Sequence, residues 1–212
     1  MDQFADRALS DAIERAFAHL GVLCEEGARR ALALYAAEIC KWNRRVNLTG
    51  AKGEVAFIRG PLFDALTLLP VLAGDAPLVD VGSGGGLPGI PAALYHPGLR
   101  VVLAEPRAKR ASFLRHVVDA LGLACDVVEA RAERLEDGAY GAAVAQAVWP
   151  AAEWLGRATR LVAPGGAIYA LSSTPVVDAD LPPSFRIDAA FETLRPLDGA
   201  PRFAVRVRRL DR

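Results

Sequence analysis

Apolar residues in the first part of the chain recur at the three-to-four-residue spacing of amphipathic helices. The second of these patterns is expected to end just before Gly50, a residue type that commonly follows a helix. The helices predicted from this spacing cover residues 4–20, residues 28 to about 43–47, and residues 61–73. The first two form a predicted N-terminal helical cap over residues 1–60.

From residue 78 the pattern changes to short, continuous apolar runs that alternate with helical stretches. Continuous apolar runs are typical of buried parallel strands, and their alternation with helices predicts an α/β fold with helices on both faces of the sheet. Two final stretches, 186–194 and 202–210, resemble a closing antiparallel hairpin. The other predicted elements are strands 78–81, 100–104, 125–129, 142–148 and 166–172, and helices 89–95, 109–121 and 151–162. Together they predict one domain over residues 61–212.

Composition is that of an ordinary globular enzyme. The chain has 212 residues, of which 52% are hydrophobic and 24% charged. No apolar run approaches the roughly 20 residues of a membrane helix, and the N-terminus lacks the basic start of a signal peptide. Three scattered cysteines predict reduced core thiols, and three separated histidines give no support for a metal site. These features predict a cytoplasmic protein without metal or membrane partners.

The formal net charge of zero conceals a segregation of charge. Residues 27–59 hold seven basic residues against two acids, and residues 186–212 hold seven arginines against four acids. Basic flanks of this kind could bind a polyanion such as RNA. They are equally compatible with solvated faces of a helix and a strand, so this pattern alone leaves both interpretations open.

The segment LVDVGSGGGLPGIP, residues 78–91, contains the candidate chemistry. A short apolar strand carries Asp80 and then breaks into glycines, whose missing Cβ atoms let a ligand lie against the backbone. These glycines are Gly82, Gly84, Gly85 and Gly86. The helix that follows offers free N–H groups to a polar or anionic ligand group. A second apolar run ends on Glu105, and an acid there suits the hydroxyls of a ribose. The segment therefore predicts a pocket for an adenosine-containing cofactor.

Two interpretations of the glycine loop compete. A G-x-G-x-x-G match that starts at Gly84 fits the dinucleotide fingerprint, but such a match is weak alone. Asp80, which could hold a ligand's amino group, and the stiffening Pro88 and Pro91 argue against a nicotinamide cofactor. The D-x-G-x-G-x-G pattern that starts at Asp80 resembles the first motif of S-adenosylmethionine-dependent methyltransferases. The layout as a whole resembles class I of these enzymes, with a Rossmann-like, mostly parallel seven-stranded sheet, a closing hairpin and a helical cap.

Motifs that are specific in combination run from about residue 30 to the end of the chain. They are Tyr35, Trp42, Asn43, Asn47, Leu48 and Thr49, then Asp64, the loop VDVGSGGGLPGIPAAL, the helix residues Lys109, Arg110, Phe113 and Leu114, and the turn Leu197–Gly199. In these motifs the chain resembles the RsmG (GidB) family of ribosomal RNA methyltransferases. The resemblance implies methyl transfer from S-adenosylmethionine to N7 of a guanine in 16S ribosomal RNA, with that RNA or the 30S subunit as partner.

The resemblance also implies roles for individual residues. The implied cofactor-binding residues are Asp80, Gly82, Gly84 and Leu87 at the methionine end, Glu105 at the ribose, Ala132 and Glu133 at the adenine, and Gln146. Guanine N7 has a free lone pair and the sulfonium is already electrophilic, so the reaction needs alignment and no general base. Accordingly, no Ser/His/Asp or Cys/His constellation is required.

Several positions depart from the family pattern on the substrate side. Gln146 stands where the family has an arginine beside the methyl-transfer site, and it is the candidate catalytic residue. Gly60 and Pro61 replace an Arg-His pair, and Ser172 replaces a lysine. Ala200, Pro201 and Arg202 replace Glu-Arg-His. These changes leave open a related methyltransferase with another substrate, or a paralogue that binds S-adenosylmethionine or RNA without methyl transfer. A nicotinamide-dependent oxidoreductase is the remaining alternative.

Overall fold

The computed structural model describes the backbone of residues 3–210 and the side chains of residues 7–210. The helices are α1 (Gln3–Leu20), α2 (Glu26–Val46), α3 (Glu54–Phe57), α4 (Phe63–Leu66), α5 (Gly89–Tyr95), α6 (Ala108–Leu121) and α7 (Ala151–Ala158). The strands are β1 (Leu78–Val81), β2 (Val101–Ala104), β3 (Cys125–Val128), β4 (Tyr140–Ala145), β5 (Val162–Ser172), β6 (Phe185–Leu194) and β7 (Pro201–Arg209). A π-helical turn, Ile58–Leu62, joins α3 to α4, and short 3₁₀ turns cover Leu69–Val71, Ala132–Arg134 and Asp178–Asp180.

The strands form one seven-stranded sheet in the order β3-β2-β1-β4-β5-β7-β6. The first five strands are parallel, and β7 is antiparallel to both β5 and β6. The predicted parallel sheet with a closing antiparallel hairpin is therefore confirmed. The direction in which successive strands are added reverses between β1 and β4, and ligands of open α/β sheets bind at such a switch point.

The carboxyl ends of β1, β2 and β4 meet at this switch point. Asp80 of β1 pairs with Leu103 of β2 on one side and with Val144 of β4 on the other. Gly82, Glu105 and Gln146 are the first residues after these three strands. The sheet therefore brings three separately predicted site residues to one edge.

Both faces of the sheet are covered, as the continuous apolar strands require. One hydrophobic cluster joins α1, α2, α3–α4, α5 and α6 to one face, and a second cluster joins α7 to the other. The first cluster includes Tyr35 of the cap together with Val144 of the sheet. The cap therefore shares its core with the sheet. A boundary between residues 1–60 and 61–212 stays a prediction.

Two predicted helices differ from the observed elements. The continuous helix predicted over 61–73 is instead a broken segment that begins at Glu54 and passes through the π-helical turn. Pro61 lies inside this turn, and a proline removes a backbone donor and obstructs a regular α-helix. The helix predicted over 151–162 ends at Ala158, because β5 already begins at Val162. The register of β5 against β4 shifts between Tyr140 and Ala142, close to Gly165, whose φ is +73°.

The remaining predictions concern cysteines, membrane spans and metals. Cys24, Cys40 and Cys125 are free thiols, but they are half-buried rather than in the core. Burial raises the pKa of Cys40 and of Cys125 to about 11, which keeps both protonated near neutral pH. Within the described residues, no helix is long and apolar enough to cross a membrane. The same part of the chain has no group of three or more His, Cys, Asp or Glu residues placed to hold a metal ion.

Candidate cofactor and substrate site

The glycine loop between β1 and α5 uses its glycines for two different reasons. Gly82, Gly84 and Gly86 have φ angles of +76°, +56° and +97°, a region in which side chains are strained. A Cβ atom at Gly86 would fall within 2.9 Å of Ile90 Cγ1 and closer still to Ile90 Cδ1. A Cβ atom at Gly84 would meet nothing nearer than the Arg110 Nη1 atom at 3.6 Å. Gly86 is therefore required by packing, whereas Gly84 leaves open space beside the loop.

The loop is fixed from several sides by hydrogen bonds. The Glu105 carboxylate accepts the Gly84 N–H at 3.0 Å and the Arg107 N–H at 2.8 Å. The buried Tyr35 hydroxyl donates to the Gly85 carbonyl oxygen at 2.7 Å. The cap and the tip of β2 therefore hold the two sides of the same loop.

Asp80 supports the loop from below. Its side chain is fully buried, Oδ2 accepts the Gly89 N–H at 3.0 Å, and Oδ1 has no hydrogen-bond partner among the described residues. Burial, with a smaller contribution from the nearby Glu105 carboxylate, raises the pKa of Asp80 to about 8 against the lowering effects of Gly89 and Ser83. The observed contacts of Asp80 are with the loop itself. Asp80 does not line the cavity above the loop, so a direct contact with a ligand's amino group stays a prediction.

A cavity of about 490 Å³ lies above the glycine loop. This volume is within the roughly 300–1,000 Å³ of small-molecule sites. Five of the predicted cofactor-binding residues line it: Gly82, Gly84, Leu87, Glu105 and Gln146. Leu48, Arg107, Arg110 and Val148 also line it and were not predicted as site residues. Leu48 and Arg110 belong to the motifs that the chain shares with the family it resembles, and those motifs were the sequence signal for these two.

The motif around Asn43 shapes the rim of this cavity. The Asn43 side chain accepts the Leu48 and Thr49 N–H groups at 2.6 and 2.9 Å and donates to the Thr49 carbonyl oxygen at 2.8 Å. Asn47 ends α2 in the left-handed conformation, and its carbonyl oxygen accepts from Arg110 Nη2 at 2.9 Å. These bonds set Leu48 and the Arg110 guanidinium at the cavity wall.

The two residues predicted at the adenine lie in a neighbouring cavity. Ala132 and Glu133 line a separate space of about 240 Å³ together with Trp149. Val148 borders the cavity above the glycine loop, so the 148–149 segment lies between the two spaces. Their contact with an adenine ring stays a prediction.

Gln146 lies at the boundary between the cofactor cavity and another cavity of about 420 Å³, which we call the second cavity. Its Nε2 atom donates to the Pro61 carbonyl oxygen at 3.2 Å, and its Oε1 atom is buried without a partner among the described residues. Ser172 also lines the second cavity. Four departures from the family pattern therefore line one or both of these cavities, whereas Gly60 and Pro201 line neither. The four are Pro61, Gln146, Ser172 and Arg202.

Asp64 and Arg202 line the second cavity and form an ion pair there. Arg202 Nε donates to Asp64 Oδ1 at 2.7 Å, and Arg195 Nη1 donates to Asp64 Oδ2 at 3.0 Å. Arg195 is also paired with Asp198, and this bond lowers the pKa of the Asp198 carboxyl to about 2. Arg202 departs from the family pattern, but it still places a cation at the second cavity.

Comparison with solved structures identifies the fold of the protein. TrmN from Thermus thermophilus matches with a TM-score of 0.53 and 23% identity over 79% of this chain and 53% of that one. The 1,6-didemethyltoxoflavin-N1-methyltransferase of Burkholderia thailandensis, solved with S-adenosylhomocysteine, matches with a TM-score of 0.53 and 16% identity over 90% and 93% of the two chains. The fold is that of a class I S-adenosylmethionine-dependent methyltransferase.

Sequence comparison narrows this class to one family. The family model described as rRNA small subunit methyltransferase G (GidB) matches residues 28–178. A ribosomal RNA small subunit methyltransferase G of Aromatoleum aromaticum is 36% identical over 91% of this chain and 95% of its own length. One of Anaeromyxobacter dehalogenans is 36% identical over 83% and 84%. The chain belongs to the rRNA small subunit methyltransferase G (GidB) family.

Proposed function

We propose that this protein transfers the methyl group of S-adenosylmethionine to N7 of a guanine in 16S ribosomal RNA, in the cytoplasm. The observation that carries the proposal is the pair of adjoining cavities that share Gln146, one of them above the glycine loop. One cavity suits a cofactor and the other a substrate base. Their shared wall is where a methyl group would pass from one to the other.

The residues of the cofactor cavity, above the glycine loop, fit S-adenosylmethionine. The space left open at Gly84 and the carboxylate at the tip of β2 are the features that an adenosine-containing ligand needs. Gly82, Gly84 and Leu87 would hold the methionine end and Glu105 the ribose. Ala132 and Glu133 would lie nearest the adenine. When bound, the cofactor supplies an electrophilic methyl group on a sulfonium.

The chain's own contribution is alignment. A guanine N7 lone pair attacks without losing a proton, so no side chain has to act as a base. A rigid loop and a shaped second cavity can hold the reacting atoms in line, and positioning of this kind lowers barriers substantially. We assign Gln146 a role at the meeting point, because the residue lines both cavities.

We propose that residues 1–60 form a cap unit and residues 61–212 the methyltransferase domain. RNA binding is proposed for the basic end of this cap. Arg44, Arg45 and Lys52 are exposed and lie beside the loop that carries Leu48, at the rim of the cofactor cavity. Lys41 is paired with Glu38 at 3.0 Å. Phosphate contacts by such residues would orient the RNA over the second cavity.

The binding proposal is tested by the salt dependence of RNA affinity. Reversing Arg44 and Arg45 to Glu should flatten the slope of log K against log salt by about 2, if each contacts one phosphate. The matched control is Arg100→Glu, because Arg100 is exposed and pairs with Asp126 at the opposite end of β2. Equal slopes for the cap variant and the control would contradict a phosphate contact at the cap.

Methyl transfer is tested with labelled S-adenosylmethionine and naked 16S RNA, 30S subunits or small metabolites. The wild-type protein should label RNA at a guanine, and Gln146→Arg should raise the rate if the missing cation limits it. The neutral Pro61, Gln146 and Ser172 favour a second candidate, a methyltransferase with another substrate. Tight cofactor binding without RNA labelling by either protein would support that candidate and overturn the first.

A further inference from the structure

The second cavity contains a carboxylate that the proposed chemistry does not use. Asp64 lines it, yet methyl transfer to N7 requires no acid or base. Its side chain is 24% exposed, so it is neither sealed in the core nor freely solvated. A fixed carboxylate in a substrate cavity is a group that can select a substrate, and its acceptor atoms define what it selects.

The Asp64 carboxylate is held in one orientation. Arg202 binds Oδ1 and Arg195 binds Oδ2, and their side chains are 14% and 17% exposed. Each carboxylate oxygen has two acceptor sites, so one site on each oxygen remains after these bonds as far as residues 7–210 are concerned. The remaining sites form a pair of acceptors on a rigid support.

Guanine offers the complementary pair of donors. Its Watson–Crick edge carries the N1–H and the N2 amino group, which adenine lacks in this arrangement, and proteins recognise unstacked bases through this edge. The N7 atom lies on the other side of the purine. A guanine whose N7 points towards the boundary at Gln146 therefore turns its Watson–Crick edge away from the cofactor, further into the second cavity.

We propose that Asp64 recognises the Watson–Crick edge of the target guanine and so determines which base is methylated. The inference rests on the proposed function, because it assumes a guanine in the second cavity. Trp149 lines the same cavity, and because its ring is stacked on Trp154 at 5.8 Å between centroids, it forms a fixed part of the cavity wall. Arg195 and Arg202 act as positioning residues, since they hold the carboxylate.

The experiment compares guanine with inosine, which lacks only the N2 amino group. Small-subunit RNA is prepared with guanine or inosine at the position that the wild-type protein methylates, and kcat/KM is measured for both. Loss of a hydrogen bond to a charged group should lower kcat/KM by roughly tenfold to hundredfold. The wild-type protein should therefore prefer guanine over inosine by at least about tenfold in kcat/KM. Asp64→Asn should reduce this preference to about threefold or less.

A matched control separates recognition from support of the fold. Asp75 is also 24% exposed and also paired with an arginine, Arg208, but it lies outside the second cavity. Asp75→Asn should leave the guanine-to-inosine ratio at its wild-type value, whatever its effect on stability. If Asp64→Asn lowers kcat/KM by the same factor with both RNAs, the role of Asp64 is purely structural and the inference is overturned.

Two further outcomes are decisive. If Asp64→Asn does not fold, Asp64→Glu retains the charge that the two arginines require and moves the carboxylate by one methylene, and its ratio should also fall. An unchanged ratio in that variant would overturn recognition by Asp64. If the wild-type protein does not methylate the guanine RNA at all, the proposed function itself fails. That result differs from a failure of Asp64 recognition, in which the wild-type protein still methylates the guanine RNA.

Discussion

The hydrogen bond between the cap and the glycine loop makes a quantitative prediction. Tyr35→Phe deletes only the hydroxyl that donates to the Gly85 carbonyl oxygen at 2.7 Å. The ring contact of Tyr35 with Phe57, at 5.7 Å between centroids, remains available to phenylalanine. Burial raises the pKa of Tyr35 well above its usual value, so the hydroxyl is a neutral donor at any ordinary pH.

The size of the effect follows from the burial of both partners. Gly85 is buried, so its carbonyl oxygen loses a partner that water cannot easily replace. Leaving a buried acceptor unpaired costs about 1–3 kcal/mol of unfolding free energy. For a chain of this length each kcal/mol corresponds to roughly 2–4 °C, so Tm should fall by roughly 2–12 °C. S-adenosylmethionine affinity should also fall, because Gly85 lines the cofactor cavity.

Thermal unfolding and calorimetric titration with S-adenosylmethionine measure the two effects. Tyr140→Phe is the control, because Tyr140 is only 9% exposed and its hydroxyl makes no hydrogen bond within residues 7–210. This variant should change Tm and affinity little. If Tyr35→Phe matches the control in both measurements, the cap does not stabilise the loop and the reasoning is refuted.

Two other predictions concern the loop and its buried acid. Both Gly84→Ala and Gly86→Ala place a side chain at a strained φ, but only at Gly86 does the new Cβ also meet Ile90. Gly86→Ala should therefore lower the unfolding free energy by about 1–3 kcal/mol and by more than Gly84→Ala, whereas Gly84→Ala should weaken S-adenosylmethionine binding more in calorimetry. The opposite ranking in either measurement would contradict this division. The Asp80 pKa of about 8 lies above the unfolded value near 3.9, so its protonated form favours folding, and stability is lost as pH rises from about 4 to 8. Asp80→Asn, which keeps an acceptor for the Gly89 N–H, should gain unfolding free energy relative to the wild type across that range, and a constant difference would show that Asp80 titrates normally.

The local part of this structure was predictable because short-range patterns determine it. Continuous apolar runs marked β1 and β2, and the residues that follow these strands, Gly82 and Glu105, line the same cavity. A parallel sheet brings strand ends together whatever the intervening helices contain. The fold and one side of the site therefore follow from periodicity and from the glycine motif.

The second cavity could not be predicted because long-range contacts create it. The bonds from Arg195 and Arg202 to Asp64 join residues more than a hundred positions apart, and nothing in local spacing announces them. The broken helix around Pro61 was missed because its apolar spacing still resembles a helix. The loop at 148–149 likewise lies between two cavities only in three dimensions.

The bond between Gln146 and the Pro61 carbonyl oxygen has an evolutionary consequence. Two positions 85 residues apart in the sequence share one interaction, so a substitution at either changes the effect of a substitution at the other. An arginine introduced at position 146 alone would meet a backbone shaped by proline at position 61. We therefore expect substitutions at positions 61 and 146 to be non-additive, so that neither position diverges without changing what the other tolerates. A double-mutant cycle of Gln146→Arg and Pro61→Ala, read out in unfolding free energy, measures this coupling.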